Sequence, residues 1–202
     1  MGLCNREIII MNTLLSYSGE LFKSQRNILV DEFLIFFRLN KLYTDKLRIP
    51  FKWDKPTKII NQIKIAESIE LQNVDKLFTF DFPSIFIRHS NKAVYISDSL
   101  VEQLNIFFSV ESIENQKPNS DHFTNFLLQR IVSELHTSSL IILSSDKVAK
   151  FLAQYIKINE SNLIKFVSEE NLLDTLILQN QESKLEINHN SQLNKLISFF
   201  DT

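Results

Sequence analysis

Three short stretches of this chain set serine beside a carboxylate directly after an apolar run. Ser97-Asp98 follows Ala93-Val94-Tyr95-Ile96. Ser144-Ser145-Asp146 follows Leu140-Ile141-Ile142-Leu143. Ser168-Glu169-Glu170 follows Leu163-Ile164-Lys165-Phe166-Val167. Each junction opens onto helical spacing: Leu100, Val101, Leu104, Phe107 and Phe108; then Val148, Phe151, Leu152, Tyr155 and Ile156; then Leu172, Leu173, Leu176 and Ile177. Parallel strands end at one edge of their sheet, and ligands bind at that edge. Carboxylates converging there would hold Mg²⁺ or Mn²⁺, hard ions that take oxygen ligands, and a metal clamp allows phosphodiester hydrolysis. The competing reading is helix capping. Serine and aspartate are preferred N-caps, first-turn acids gain from the helix dipole, and Ser99-Leu100-Val101-Glu102 fits the capping-box pattern. In either case an anion meets repulsion at every junction.

A fourth acid, Asp31, joins this edge if Ile28-Leu29-Val30 forms a strand. The stretch Asn27-Ile28-Leu29-Val30-Asp31 resembles the opening strand and aspartate of PIN-domain nucleases. Leu140-Ile141-Ile142-Leu143-Ser144-Ser145-Asp146-Lys147 resembles their late strand and its aspartate. Asp121 or Glu134 stands where that family has helical acids. The resemblance implies a metal-dependent nuclease holding Mg²⁺ or Mn²⁺ on Asp31, Asp121 and Asp146. The chain departs from the family at Glu32-Phe33, where Thr or Ser followed by Asn is usual, and its two acidic strands are further apart than in a compact PIN domain. The same rhythm is similar to nucleotide-free α/β folds such as uroporphyrinogen synthase halves and proteasome-assembly chaperones.

Composition removes other chemistry. The 202 residues hold 2 glycines, Gly2 and Gly19. The P-loop, the dinucleotide G-x-G-x-x-G, the kinase glycine loop, the G-x-S-x-G elbow and the EF-hand loop all require more. Cys4 alone builds neither an intramolecular disulfide nor a cysteine zinc site. His89, His122, His136 and His189 have no zinc-binding spacing. A net charge of -2 gives no steering toward nucleic acid or anionic membrane. No apolar run is long enough to span a bilayer, and no signal-peptide core is present, so an intracellular, reducing compartment is expected. Met1-Gly2-Leu3-Cys4 hints at lipidation, but Arg6 replaces the preferred Ser or Thr, and Met11 is an alternative start.

Two further groups could recognise something. Phe51, Lys52, Trp53 and Lys55 interleave aromatic rings with cations, as single-stranded nucleic-acid sites do; the alternative is that Trp53 anchors a lysine-solvated loop. The phenylalanine pairs Phe36-Phe37, Phe107-Phe108 and Phe199-Phe200 exceed one helical stripe. Phe37, Phe108 and Phe200 are therefore interface candidates, against a wide buried face.

These groups need a scaffold. Alternating strands and helices predict an α/β fold: a parallel or mixed sheet of about five strands with helices on both faces, a three-layer sandwich. Residues 1–66 read as a mainly helical N-terminal part packed on the core, and 67–202 as the α/β domain. In 26–37, a buried helix and a strand followed by a helix both fit. Leu77–Phe82 and Ser84–Arg88 read as strands around Pro83, Asp121–His136 as a helix, and Asn190–Phe200 as a closing helix. Missing phosphate loops, missing nucleophile motifs and paired phenylalanines make a non-catalytic interaction or assembly subunit, partnered by another protein or its own copies, the first expectation. The nuclease comes second, the single-stranded nucleic-acid module third.

Overall fold

The computed structural model describes residues 12–18, 26–39, 42–114, 120–155, 162–165, 195–196 and 198–199. Six strands form one sheet: β1 (Asn12–Ser18), β2 (Tyr43–Ile49), β3 (Lys76–Phe80), β4 (Lys92–Ile96), β5 (Leu140–Leu143) and β6 (Leu163–Lys165). Every pairing is parallel, in the order β2-β1-β3-β4-β5-β6. Among the described residues five helices have stated bounds, α1 (Arg26–Leu39), α2 (Pro56–Glu67), α3 (Asp98–Glu114), α4 (Ser120–Thr137) and α5 (Asp146–Leu152), and residues 195–196 and 198–199 are also helical. The α/β sandwich is the expected one, with six strands rather than about five, and no antiparallel member among the described residues.

Residue parity sorts the core into two layers, because alternate side chains leave a strand on opposite faces. Leu77, Val94, Ile96, Ile141 and Leu143 pack under α2, α3, α4 and α5. Leu15, Phe78, Phe80, Ala93, Tyr95 and Ile142 pack under α1 and, further along the sheet, against Leu196 and Phe199. The distribution follows from right-handed crossovers. The chain steps one way from β1 to β2 and puts α1 on one face. It then steps the other way through β3, β4, β5 and β6 and puts α2, α3, α4 and α5 on the other.

The N-terminal 66 residues supply two helices and also β1 and β2. Residues 28–30 belong to α1, so the helical reading of that run holds and Asp31 follows no strand. Its buried residues, Leu29, Val30, Phe33, Leu34, Phe36 and Phe37, form one broad helical stripe. Phe33 and Phe37 meet Phe78 at 5.0 and 5.6 Å between ring centroids. β2 escapes hydropathy because it is an edge strand with Asp45, Lys46 and Arg48 exposed, charges that discourage pairing with another chain. Ser84–Phe86 is a 3-10 turn, not a strand. Ser84, Ile85, Phe86 and Ile87 are fully buried, which mimics strand composition, but the preceding Asp81 adopts φ 52° and turns the chain out of the sheet.

A buried cation holds that turn. Lys92 Nζ donates to the carbonyls of Ile85 (2.8 Å) and Ile87 (3.2 Å) and to Glu134 Oε2 (2.7 Å). On the opposite face, the buried Lys76 donates to the Phe199 carbonyl and lies 5.3 Å from the centroid of its ring.

Candidate functional site

The strand order reverses direction between β1 and β3. Connections from these neighbours lead to opposite faces, and the crevice between them at the carboxyl edge is where open α/β sheets bind ligands. Residues 19–25, which follow β1 and begin with Gly19, lie outside the described residues. Ser16 ends the buried part of β1, and its Oγ donates to Ser84 Oγ at 3.1 Å across the switch point.

Hydrogen bonds of another kind continue along the edge. Asp81 follows β3 and is 1% exposed. Its Oδ1 accepts the Ser97 backbone N–H and its Oδ2 accepts the Ser97 hydroxyl, both at 2.7 Å. Ser97 Oγ in turn accepts the Leu100 N–H at 3.0 Å. Ser97, rather than Ser99 of the capping-box pattern, therefore caps α3. The motif repeats one strand over. Asp98 accepts the hydroxyls of Ser144 (2.8 Å) and Ser145 (2.6 Å), and Ser145 Oγ accepts the Val148 N–H at 3.3 Å to cap α5. Each capping serine thus donates its hydroxyl hydrogen bond to the carboxylate that follows the preceding strand. The acids stitch β3 to β4 and β4 to β5, so much of their lone-pair capacity is spent inside the protein.

The three nuclease candidates occupy different places. Asp31 lies in α1, 58% exposed by side chain, with its Oδ1 2.7 Å from Lys46 Nζ on β2. Asp146 is exposed in the first turn of α5, beyond β5. β2 and β5 are four strand spacings apart, roughly 19 Å. Asp121 lies in the first turn of α4, its side chain outside the described residues. Among the described residues no group of three His, Cys, Asp or Glu could hold a metal ion. Asp31→Asn is expected to change the unfolding free energy by less than about 1 kcal/mol in urea titrations, the usual limit for an exposed pair. Glu169 and Glu170 lie outside the described residues.

Beside the switch point stands an aromatic group. Phe51 is buried and contacts Phe82 at 4.7 Å. Trp53 is partly buried and stacks on Phe82 at 5.1 Å with a 29° interplanar angle, while Phe86 meets Phe82 edge-on at 5.0 Å. Gln62 on α2 accepts from the Lys52 N–H (2.9 Å) and donates to its carbonyl (3.0 Å), strapping the loop down. Lys52 and Lys55 are exposed beside the rings. Lys58 hydrogen-bonds Asp54 at 2.6 Å, and this contact, helped by the Lys55 N–H, holds the Asp54 carboxyl below the usual carboxylate range. Among the interface candidates, Phe37 is fully buried. Phe108 lies on α3 with its side chain outside the described residues, as does the whole of Phe200.

Sequence reasoning missed Asp81, because it lies inside the stretch Leu77–Phe82 that reads as a strand. The available signal was an aspartate between two apolar strands in a chain with almost no glycine, since Asp tolerates the left-handed region better than most residues. Compared with known proteins, the chain matches no family model, no curated protein and no solved structure. Among the described residues no helix is long and apolar enough to cross a membrane.

Proposed function

We propose that this chain is a non-catalytic binding module. Its ligand is a polar small molecule, uncharged or cationic, seated at the carboxyl edge of the sheet beside β1 and β3. The reversal of strand order at β1 and β3 carries this reading, because open α/β sheets bind ligands at the carboxyl edge beside such a reversal; partly buried Tyr17 and Trp53 and the buried turn Asp81–Ser84 stand at that edge. Internal use of Asp81 and Asp98 supports a binding role over an acid–base one, and the acidic edge disfavours anions. Trp53 is the only tryptophan in the chain and stacks on Phe82, next to Asp81, so its emission reports on the crevice. Hexoses, nucleosides and spermidine, tested against sulfate and ATP, are expected to include a saturable perturbation of Trp53 emission from the uncharged or cationic set. Backbone amide shifts should centre on residues 81–84. Response to the anions alone, or shifts confined to other surfaces, overturns the reading.

The protein-interaction reading has its own support. Ile106 on α3, Phe126 on α4 and Tyr155 just beyond α5 are large apolar side chains left exposed, and such residues favour interface cores. A concentration-independent monomer by sedimentation that co-purifies with no partner from its native cell would count against it.

A further inference from the structure

α3 and α5 both start at the carboxyl edge, and a groove of about 450 Å³ lies between them on the outer surface. Its walls are Val101 and Asn105 from α3, with Lys150 and Phe151 from α5 and Gln154 and Tyr155 just beyond it. Below Val101, Phe151 and Tyr155 the core closes on Leu100, Leu104 and Ile131, leaving a hollow of only about 10 Å³. The groove thus sets the apolar side chains Val101, Phe151 and Tyr155 beside the carboxamides of Asn105 and Gln154 and the cations Lys147 and Lys150.

The two lysines at the rim differ. Lys147 is engaged: its Nζ donates to Glu102 Oε1 at 2.7 Å across the two helices, which closes the groove at the sheet-edge end. Lys150 stands almost one turn further along α5 and is exposed. Asn105 and Gln154 offer amide donors from opposite walls. One cation and two amides over an aromatic floor match a single carboxylate carried on a flat apolar body.

We propose that the α3/α5 groove binds aromatic monocarboxylates, with the ring system over Val101, Phe151 and Tyr155 and the carboxylate at Lys150. The site lies on the helical face rather than in the β1/β3 crevice, so it stands independently of the function proposed above.

The probe is 2-naphthoate, with 2-naphthamide as its uncharged counterpart, titrated into the full chain and followed by backbone amide shifts. For a ligand of this size the expected dissociation constant is about 1 mM or tighter. Shifts should centre on residues 101–105 and 147–155. Naphthamide is expected to bind about threefold more weakly, and Lys150→Ala to weaken naphthoate by a similar factor, as exposed charge contacts do. Asn105→Trp places a ring in the groove from an exposed position and should weaken binding more than about tenfold on steric exclusion. Gln154→Trp serves the same purpose from the opposite wall if the first variant fails to fold. Equal affinity for acid and amide, unchanged binding in a folded groove-filling variant, or shifts centred on residues 81–84 and Trp53 would each overturn the assignment. The last outcome would place the acid in the crevice instead.

Discussion

Glu134→Ala should lower the unfolding free energy by about 3–5 kcal/mol, the cost of leaving a buried charge without its partner. Lys92 is 2% exposed by side chain and Glu134 15%. All three ammonium hydrogens of Lys92 are directed, two at carbonyls of the turn after β3 and one at the carboxylate of α4. Removing the carboxylate leaves a cation that burial penalises and two carbonyls that only partly compensate it. Lys92→Met should be damaging for the complementary reason, since the carbonyls of Ile85 and Ile87 lose their donor and Glu134 loses its counter-charge. The double change Lys92→Met, Glu134→Leu should recover most of the loss, because well-packed apolar replacements of buried ion pairs are often near neutral. Urea unfolding of these proteins together with the single Glu134→Leu variant, which completes the double-mutant cycle, checks this. Additive losses in the double variant would mean that the pair is not energetically coupled, contrary to its geometry.

The second large effect is expected at Asp81. Asp81→Ala removes the acceptor of both the Ser97 N–H and the Ser97 hydroxyl and places a Cβ residue with no local polar group at φ 52°. Hydrogen bonds to a charged group contribute about 1.5–3 kcal/mol each, so a loss of about 3 kcal/mol or more is expected in thermal or urea unfolding. Asp81→Asn keeps the tolerance for the left-handed region and one carbonyl acceptor, and should cost about half as much. Asp81→Gly separates the two roles. It relieves the backbone but not the missing acceptor, and should resemble the alanine variant if the hydrogen bonds dominate. Equal stabilities for wild type and Asp81→Ala would sink the view that these bonds hold β3 to β4.

The parts of the fold legible in the sequence are those where local pattern and burial agree. The units from Ala93 and from Leu140 show an apolar strand, a capping serine and a periodic helix in a row, and the structure forms both strands and both helices, although α5 ends at Leu152, short of the Tyr155 in its periodic pattern. α4 was legible because Leu127, Ile131 and Leu135 keep strict helical spacing. β2 was not, because an exposed edge strand needs little apolar content; only Leu47 and Ile49 turn toward the core. α1 was ambiguous since its buried stripe is wide enough to take both Phe36 and Phe37, which also shows how adjacent phenylalanines share one core. The sheet order lay beyond reach, since it is a property of how units dock and not of any one unit. At the candidate site the acids were visible but their assignments were not. Asp81 and Ser97 are 16 residues apart, and Asp98 and Ser145 are 47. Only the parallel register brings each pair together.

The contact between Lys76 and Phe199 bridges 123 residues and ends on β3, near the middle of the sheet. During synthesis the chain leaves the ribosome from its N-terminal end, and domains generally fold as units. β1 through β4 emerge long before residue 199, so Lys76 must wait for the carbonyl it will finally hold. The central strand is therefore among the early arrivals, while its own burial is completed among the last. Until then the sheet face carrying Phe78 and Tyr95 lacks the cover of Leu196 and Phe199, a period of vulnerability to aggregation set by chain connectivity and not by any weakness of the finished core.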